Sequence, residues 1–242
     1  MTTSRTTLAG KHCLITGASG GLGKVLSKQF ADAGCHLHLL GRKQSELTHL
    51  ASNIRDDFPA LSIETYQIDF LDSAALSQLA TEINQQFEID ILINNAGIFP
   101  VSLLQNSSVD DFDNCMAVNV KAPFLLTKTF SASMKNRGWG RIVNIGSSSA
   151  YSGFAKTSVY CASKHALLGF SRAINDELKQ DGVRSFCLSP GSVQTPMGER
   201  VEGQDYSTFI SPEDIAEYSV FLVSFNGNMM TDEVRMNRVN IQ

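Results

Sequence analysis

The chain has 242 residues, 43% of them hydrophobic, and a formal net charge of −4. That is enough to bury a substantial core, within the range of a single α/β unit. Lysines and arginines form no run, so nothing marks an electrostatic footprint for nucleic acid or an anionic membrane.

The opening MTTSRTTLAG has no apolar stretch of the kind a secretory leader needs, and no apolar run reaches the roughly 18 residues of a membrane span. Cys13, Cys35, Cys115, Cys161 and Cys187 include no CxxC pair, and the five histidines no HExxH-like or Cys/His cluster. The expectations are reduced, mostly buried thiols, a cytoplasmic protein and no metal site.

HCLIT (12–16) reads as a strand ending at glycines, and residues 21–33 have helical apolar spacing. CHLHLLG (35–41) is a second strand, followed by a helix through SELTHLASNIRDDF. SIETYQID (62–69) alternates, 73–87 reads as helix, and DILINNAG (90–97) is a strand running into a turn. A long helical stretch from about Val109 to Asn136 is broken only at VNVKAP. RIVNIG (141–146), a helix holding Tyr160 and Lys164, and VRSFCLSPG (183–191) follow. A last helix begins near Pro212, with Ser211 and Asp214 as a capping-box-like start, and strand-like EVRMNRV closes the series.

Short apolar strands alternating with longer helices predict one doubly wound domain over 1–242. It has a parallel sheet of about seven strands with helices on both faces, a three-layer α/β/α arrangement.

TGASGGLG (16–23) lies between the first strand and the first helix. Gly17, Gly21 and Gly23 there permit a tight turn, close approach to a pyrophosphate and close helix–sheet packing, with amide donors at the helix N-terminus. The second strand ends LLGRK, so Gly41 leaves empty the acidic position that would take a ribose 2′-hydroxyl. Arg42 and Lys43 suit a 2′-phosphate, which favours NADP(H) and leaves NAD(H) as the alternative. Asp69 is placed either to accept from the adenine amino group or as a turn aspartate. Asn94 and Asn95 can tie neighbouring strand ends together while Ala96 and Gly97 let a nucleotide pass close by.

Tyr160 and Lys164 are four apart on one helical face. Tyrosine, with an ordinary pKa of about 10, relays protons poorly near neutrality, and a nearby ammonium favours the tyrosinate. Alone, the pair reads rather as two long side chains sharing a helix surface. NIGSSSA adds hydroxyls at a strand's C-terminal end, and Asn119 is an amide inside the long helix, able to loosen its i−4 ladder.

Together these motifs resemble the short-chain dehydrogenase/reductase family, NAD(P)-dependent oxidoreductases on one Rossmann domain. The resemblance runs over nearly the whole chain through TGASGGLG, NNAG, VNVKAPF, IVNIGSSSA, YCASK as the family's YxxxK, and PGSVQT (190–195). It implies Tyr160 as general acid/base and Lys164 as the residue that holds the nicotinamide ribose and lowers the tyrosine pKa. Ser147, thirteen residues before the tyrosine, would polarise the substrate oxygen, and Asn119 would anchor a relay water.

The nucleotide-contacting positions implied are Gly17, Ser19, Gly20, Gly21, Leu22, Gly23, Arg42, Lys43, Asp69, Phe70, Asn95, Ala96, Gly97, Tyr160, Lys164, Pro190, Gly191, Val193 and Thr195. Two features depart from the family pattern. Gly20 stands where NADP-preferring members often carry a basic residue, and the substrate-lid segment, 197–211, is short.

The expected function is hydride transfer between NADP(H) and a small-molecule carbonyl or secondary alcohol, in the direction of ketone reduction. The alternatives are a 3-oxoacyl-thioester (acyl-carrier-protein) reductase and a nucleotide-binding scaffold or sensor. For the first, Arg137, Arg172 and Arg200 are scattered candidates for a basic rim. A homo-oligomer, dimer or tetramer, is also expected. Leu167, Leu168, Phe170 and Ile174 would serve either as its contact face or as core.

Overall fold

A computed structural model describes residues 5–201 and 203–239. Residues 1–4 of the N-terminal segment, residue 202 of the expected lid and residues 240–242 lie outside the described residues. The elements alternate as the sequence predicts: β1 (His12–Thr16), α1 (Gly21–Asp32), β2 (His36–Gly41), α2 (Gln44–Asp57), β3 (Ile63–Gln67), α3 (Ser73–Gln86) and β4 (Ile89–Asn94). Then come α4 (Val109–Met116), α5 (Ala122–Arg137), β5 (Gly140–Ile145), α6 (Ser158–Leu178), β6 (Val183–Pro190), α7 (Pro212–Ser224) and β7 (Glu233–Met236).

The strands form one sheet in the order β3-β2-β1-β4-β5-β6-β7, and every pairing is parallel. The strand order reverses between β1 and β4, which opens a crevice at their C-terminal ends.

Side-chain alternation divides the core in two. Cys13, Ile15, Ile91, Ile93 and Val143 join Leu26 and Phe30 of α1, Leu47 and Ile54 of α2 and Val223 of α7 on one face. Leu14, Leu92 and Ile142 join Leu76 and Ile83 of α3, Leu126 and Phe130 of α5 and Leu178 of α6 on the other. A strand buried on both faces must be apolar throughout, and β4 and β5 are buried at every position. Edge strand β3 is only partly covered, as its polar residues allow.

Two local expectations are corrected. The capping partner of Ser211 is Glu213, whose amide donates to the Ser211 hydroxyl at 3.1 Å, and not Asp214. The break in the long helix is a π-helical stretch, Ala117–Lys121, joining α4 to α5 without a loop. Leu167 and Leu168 are buried, and Ile174 packs on the second core. Phe170 alone of that quartet reaches a partly exposed partner, Phe124, with ring centroids 6.1 Å apart.

All five cysteines are buried and unbridged. Strand pairing also assembles a histidine cluster that linear spacing does not show. His12 pairs in register with His36, its Nδ1 lies 2.9 Å from His38 Nε2, and His38 Nδ1 lies 3.3 Å from the Tyr66 hydroxyl. Among the described residues no group of three or more His, Cys, Asp or Glu side chains could hold a metal ion. No helix among them is long and apolar enough to cross a membrane.

Candidate active site

The crevice is a cleft of about 1060 Å³ above the C-terminal ends of β1, β4, β5 and β6. The expected nucleotide-contacting residues all line it, as do Ser147, Tyr160 and Lys164, while Asn119 stands behind its wall.

The glycine loop is built for close approach. Gly17 adopts φ 62°, and a Cβ there would lie 2.9 Å from the Ala96 Cα. At Gly23 a Cβ would lie 2.1 Å from the Gly17 carbonyl oxygen, so the first turn of α1 can sit against the loop only without a side chain. The loop delivers amides at a helix start with no acidic residue in its first turn, a cradle that fits a pyrophosphate.

Thr16, at the end of β1, holds the opposite wall. Its hydroxyl accepts from the amides of Asn95 at 3.0 Å and Ala96 at 2.9 Å. The Asn95 side chain donates back to the Thr16 carbonyl at 2.9 Å. Asn94 donates to the Asn144 side-chain oxygen at 2.9 Å, so the asparagine pair ties β4 to β1 on one side and β5 on the other.

Beyond β2 the two basic residues differ. Lys43 is engaged by Glu46 at 2.8 Å, whereas the Arg42 guanidinium makes no ion pair or hydrogen bond with any described residue. Asp69 lines the cleft and also accepts from the Leu71 amide at 3.0 Å, so it serves its own turn.

Ser147 follows β5 and caps a short 3₁₀ turn, Ser148–Ala150, accepting from the Ser149 amide at 3.1 Å. Tyr160, in the first turn of α6, has a ring 4.7 Å from that of Phe99 in an edge-to-face arrangement. Burial pushes its phenol up to about 12, against the opposing pull of the Ser147 hydroxyl beside it. Lys164, one turn on, is buried and donates to the Ile145 carbonyl at 2.8 Å. Burial pushes its ammonium down to about 8. The expected lowering of the phenol by Lys164 is absent here. The Nζ lies 5.6 Å from the ring centroid and is turned to Ile145, so desolvation decides.

Asn119 occupies the π-helical stretch, where the widened ladder leaves backbone groups to be satisfied otherwise. Its side chain accepts from the Ile98 amide at 2.9 Å and donates to the Ile98 carbonyl at 3.0 Å. It also lies 3.0 Å from the Ser163 hydroxyl, which in turn donates to the Tyr160 carbonyl at 2.7 Å. Asn119 therefore braces both the turn after β4 and the start of α6.

Sequence reasoning missed Thr16, Phe99 and Ser163, and named Arg200 only as one of three scattered candidates for a basic rim. Ser163 was within reach, three residues after Tyr160 on the same helix. The pairing of Phe99 with Arg200 carried no local signal, because they meet only across the cleft, with the guanidinium 5.9 Å from the ring centroid.

Residues 11–205 match the family model described as short chain dehydrogenase. The 3-oxoacyl-[acyl-carrier-protein] reductase of Rickettsia felis is 29% identical over 93% of this chain and 94% of its own. A Beutenbergia cavernae structure with NADP bound at low occupancy superposes with a TM-score of 0.88. It is 29% identical, covers 96% of each chain and is provisionally described as an NAD(P)-dependent gluconate 5-dehydrogenase. A metagenomic short-chain oxidoreductase in complex with NADP gives a TM-score of 0.83 at 27% identity, covering 97% of this chain and 100% of the other.

Proposed function

Because the chain belongs to the short-chain dehydrogenase/reductase family, we propose that it is an NADP(H)-dependent ketone reductase with Tyr160 as its general acid. The observation that carries this reading is the meeting of Tyr160, Ser147 and Lys164 in the wall of a cleft whose other end is the glycine cradle. NADP bound in the two similar structures supports the choice of nucleotide, as does the Arg42 guanidinium, which is unpaired among the described residues.

When bound along that cradle, NADPH supplies the hydride. The chain's residues handle the proton and the charge. A phenol raised to about 12 is protonated at neutral pH and loaded to donate from Oη to the substrate oxygen. The Ser147 hydroxyl, beside that phenol, donates a second hydrogen bond to the same oxygen as negative charge grows on it. Lys164, its Nζ turned to the Ile145 carbonyl and 5.6 Å from the phenol ring centroid, is the residue that would hold the nicotinamide ribose. Asn119 and Ser163 fix the start of α6 and with it the position of Oη.

Of the three arginines on which the thioester-reductase alternative draws, two are engaged elsewhere. Arg137 donates to the Ile89 carbonyl at 2.7 Å and faces Glu88 and Asp90 at 3.9 Å, and Arg172 is bound to Glu233. Only Arg200 of the three lines the cleft.

The test is NADPH oxidation with a panel of ketones. Tyr160→Phe should lower kcat by roughly a hundredfold or more while NADPH still quenches protein fluorescence. An unchanged rate in Tyr160→Phe would sink the assignment.

A further inference from the structure

The substrate end of the cleft has a chemistry of its own. Phe99, packed edge-on against Tyr160, carries the Arg200 guanidinium over its other reaches, 5.9 Å from the ring centroid. Phe154, 51% exposed, lines the same cleft, and the Phe99 ring is the aromatic surface that meets both the phenol and the guanidinium. Arg200 makes no ion pair or hydrogen bond with any described residue. The carboxylates among the described lining residues, Glu46 and Asp69, sit at the nucleotide end, Glu46 bound to Lys43 and Asp69 to its own turn.

The backbone holds Arg200 in place. The 3₁₀ turn Gly198–Arg200 folds back on residues 193–195: the Gly198 amide donates to the Thr195 hydroxyl at 3.2 Å and the Glu199 amide to the Thr195 carbonyl at 3.1 Å. A Cβ on Gly198 would lie 2.0 Å from the Val193 carbonyl oxygen, so that fold-back requires a glycine. Across the cleft, Lys156 has φ 64°, rare for a residue with a side chain. Its carbonyl accepts from the Ser102 amide at 2.8 Å, pinning the loop that carries Phe99. The fold-back thus sets the Arg200 backbone where its guanidinium meets Phe99, whose ring packs on Tyr160.

We infer that the substrate is an oxo acid, with an apolar spacer lying along Phe99 and a carboxylate received by Arg200, which is the residue that sets specificity. This rests on the ketone-reductase reading for the reacting carbonyl, but the anion site is defined by Arg200 and Phe99 and is measurable without turnover. A planar guanidinium offers a carboxylate two parallel donors, and the aromatic flank keeps competing water away from one side of the pair.

The experiment compares 5-oxohexanoate with its methyl ester. Titration calorimetry without nucleotide should show the acid binding at least tenfold more tightly than the ester. The preference should fall at least tenfold in Arg200→Ala and be partly kept in Arg200→Lys. With NADPH, the ratio of kcat/KM for acid over ester should follow the same order, carried by KM. Ester binding as tight as the acid, or a preference untouched by Arg200→Ala, overturns the inference. Acid-selective binding with no NADPH oxidation upholds the anion site and overturns the reductase reading instead. A second arm uses acetoacetyl-phosphopantetheine against neutral acetoacetyl-N-acetylcysteamine. An Arg200-dependent preference found only there assigns the anion to a phosphate and overturns the oxo acid.

Discussion

The Lys164 ammonium donates to the main-chain carbonyl of Ile145, the last residue of β5 and two before Ser147. The bond links the helix that carries the phenol to the strand that carries the serine. It holds a cation in an apolar setting that favours its neutral form, so its pKa sits at about 8, below the ordinary 10.5.

That shift has a stability consequence of definite sign. Between about pH 8 and 10.5 the unfolded chain holds the lysine proton and the folded chain does not, so stability rises with pH across that window. Tyr160, raised from 10 to about 12, acts oppositely above pH 10, where the folded state keeps the proton. Urea unfolding should show stability rising by up to about 1.4 kcal/mol per pH unit from this one group between pH 8 and 10, then flattening. Lys164→Met should remove the rise, and an unaltered profile in that variant would refute the assignment.

Arg42 has no partner among the described residues, so its whole donor set is available to a 2′-phosphate. Replacing it with alanine should cost NADPH binding about 1.5–3 kcal/mol, roughly a ten- to hundredfold rise in Kd, with little effect on NADH. Fluorescence titration with the two nucleotides decides it; equal losses for both would place Arg42 outside nucleotide discrimination.

Gly23 has no room for a methyl group, since the Cβ would meet the Gly17 carbonyl at 2.1 Å. Gly23→Ala should therefore push the loop off α1 and weaken NADPH binding at least tenfold, about 1.4 kcal/mol. Circular dichroism would confirm that the sheet persists. Wild-type affinity would mean that the loop yields freely.

The histidine cluster makes the other end of the sheet sensitive to acid. Burial, with His12 and His36 adding repulsion, pushes His38 down to about 3, and burial also lowers His12. Their surroundings include Tyr66 and Phe87, with Asp90 and Glu88 opposing the shift at His12. Below pH 6.5 the unfolded chain binds a proton that folded His38 refuses, so stability falls as pH drops from 6.5 towards 3. Between pH 6.5 and 5 this amounts to about 2 kcal/mol. His38→Gln should flatten that part of the urea-unfolding profile, and an equally steep decline would exclude His38 as its source.

What was legible in the sequence follows from the range of the forces involved. Strand and helix positions came from local apolar period, and β1 ends where expected because Gly17 breaks the pattern. The residues expected to contact a nucleotide gather because most follow the end of a strand or open a helix at one sheet edge. Other features depend on what a fold brings together. The meeting of His12 and His38 requires the β1–β2 register, and the high phenol pKa of Tyr160 reflects burial that spacing from Lys164 does not reveal. Phe99 and Arg200 are far apart in the chain and are joined only by the fold-back at Gly198. Ser211 found Glu213 instead of Asp214 because helix starts admit several acceptor geometries that differ by one residue.

The π-helical stretch at Ala117–Lys121 makes α4 and α5 one rod with two phases. Counted from α4, the inner face is set by Cys115, whose thiol lies 3.5 Å from the Ser163 hydroxyl of α6. Counted from α5, it is set by Leu126, Phe130 and Met134 against the sheet. One residue of α-helix turns through about 100°. Deleting a single residue from 117–121 to restore a regular ladder would therefore align one of these faces and rotate the other away from its partner. The irregular turn acts as a phase adapter, letting one continuous helix serve the frame of the sheet at one end and the wall of the candidate pocket at the other.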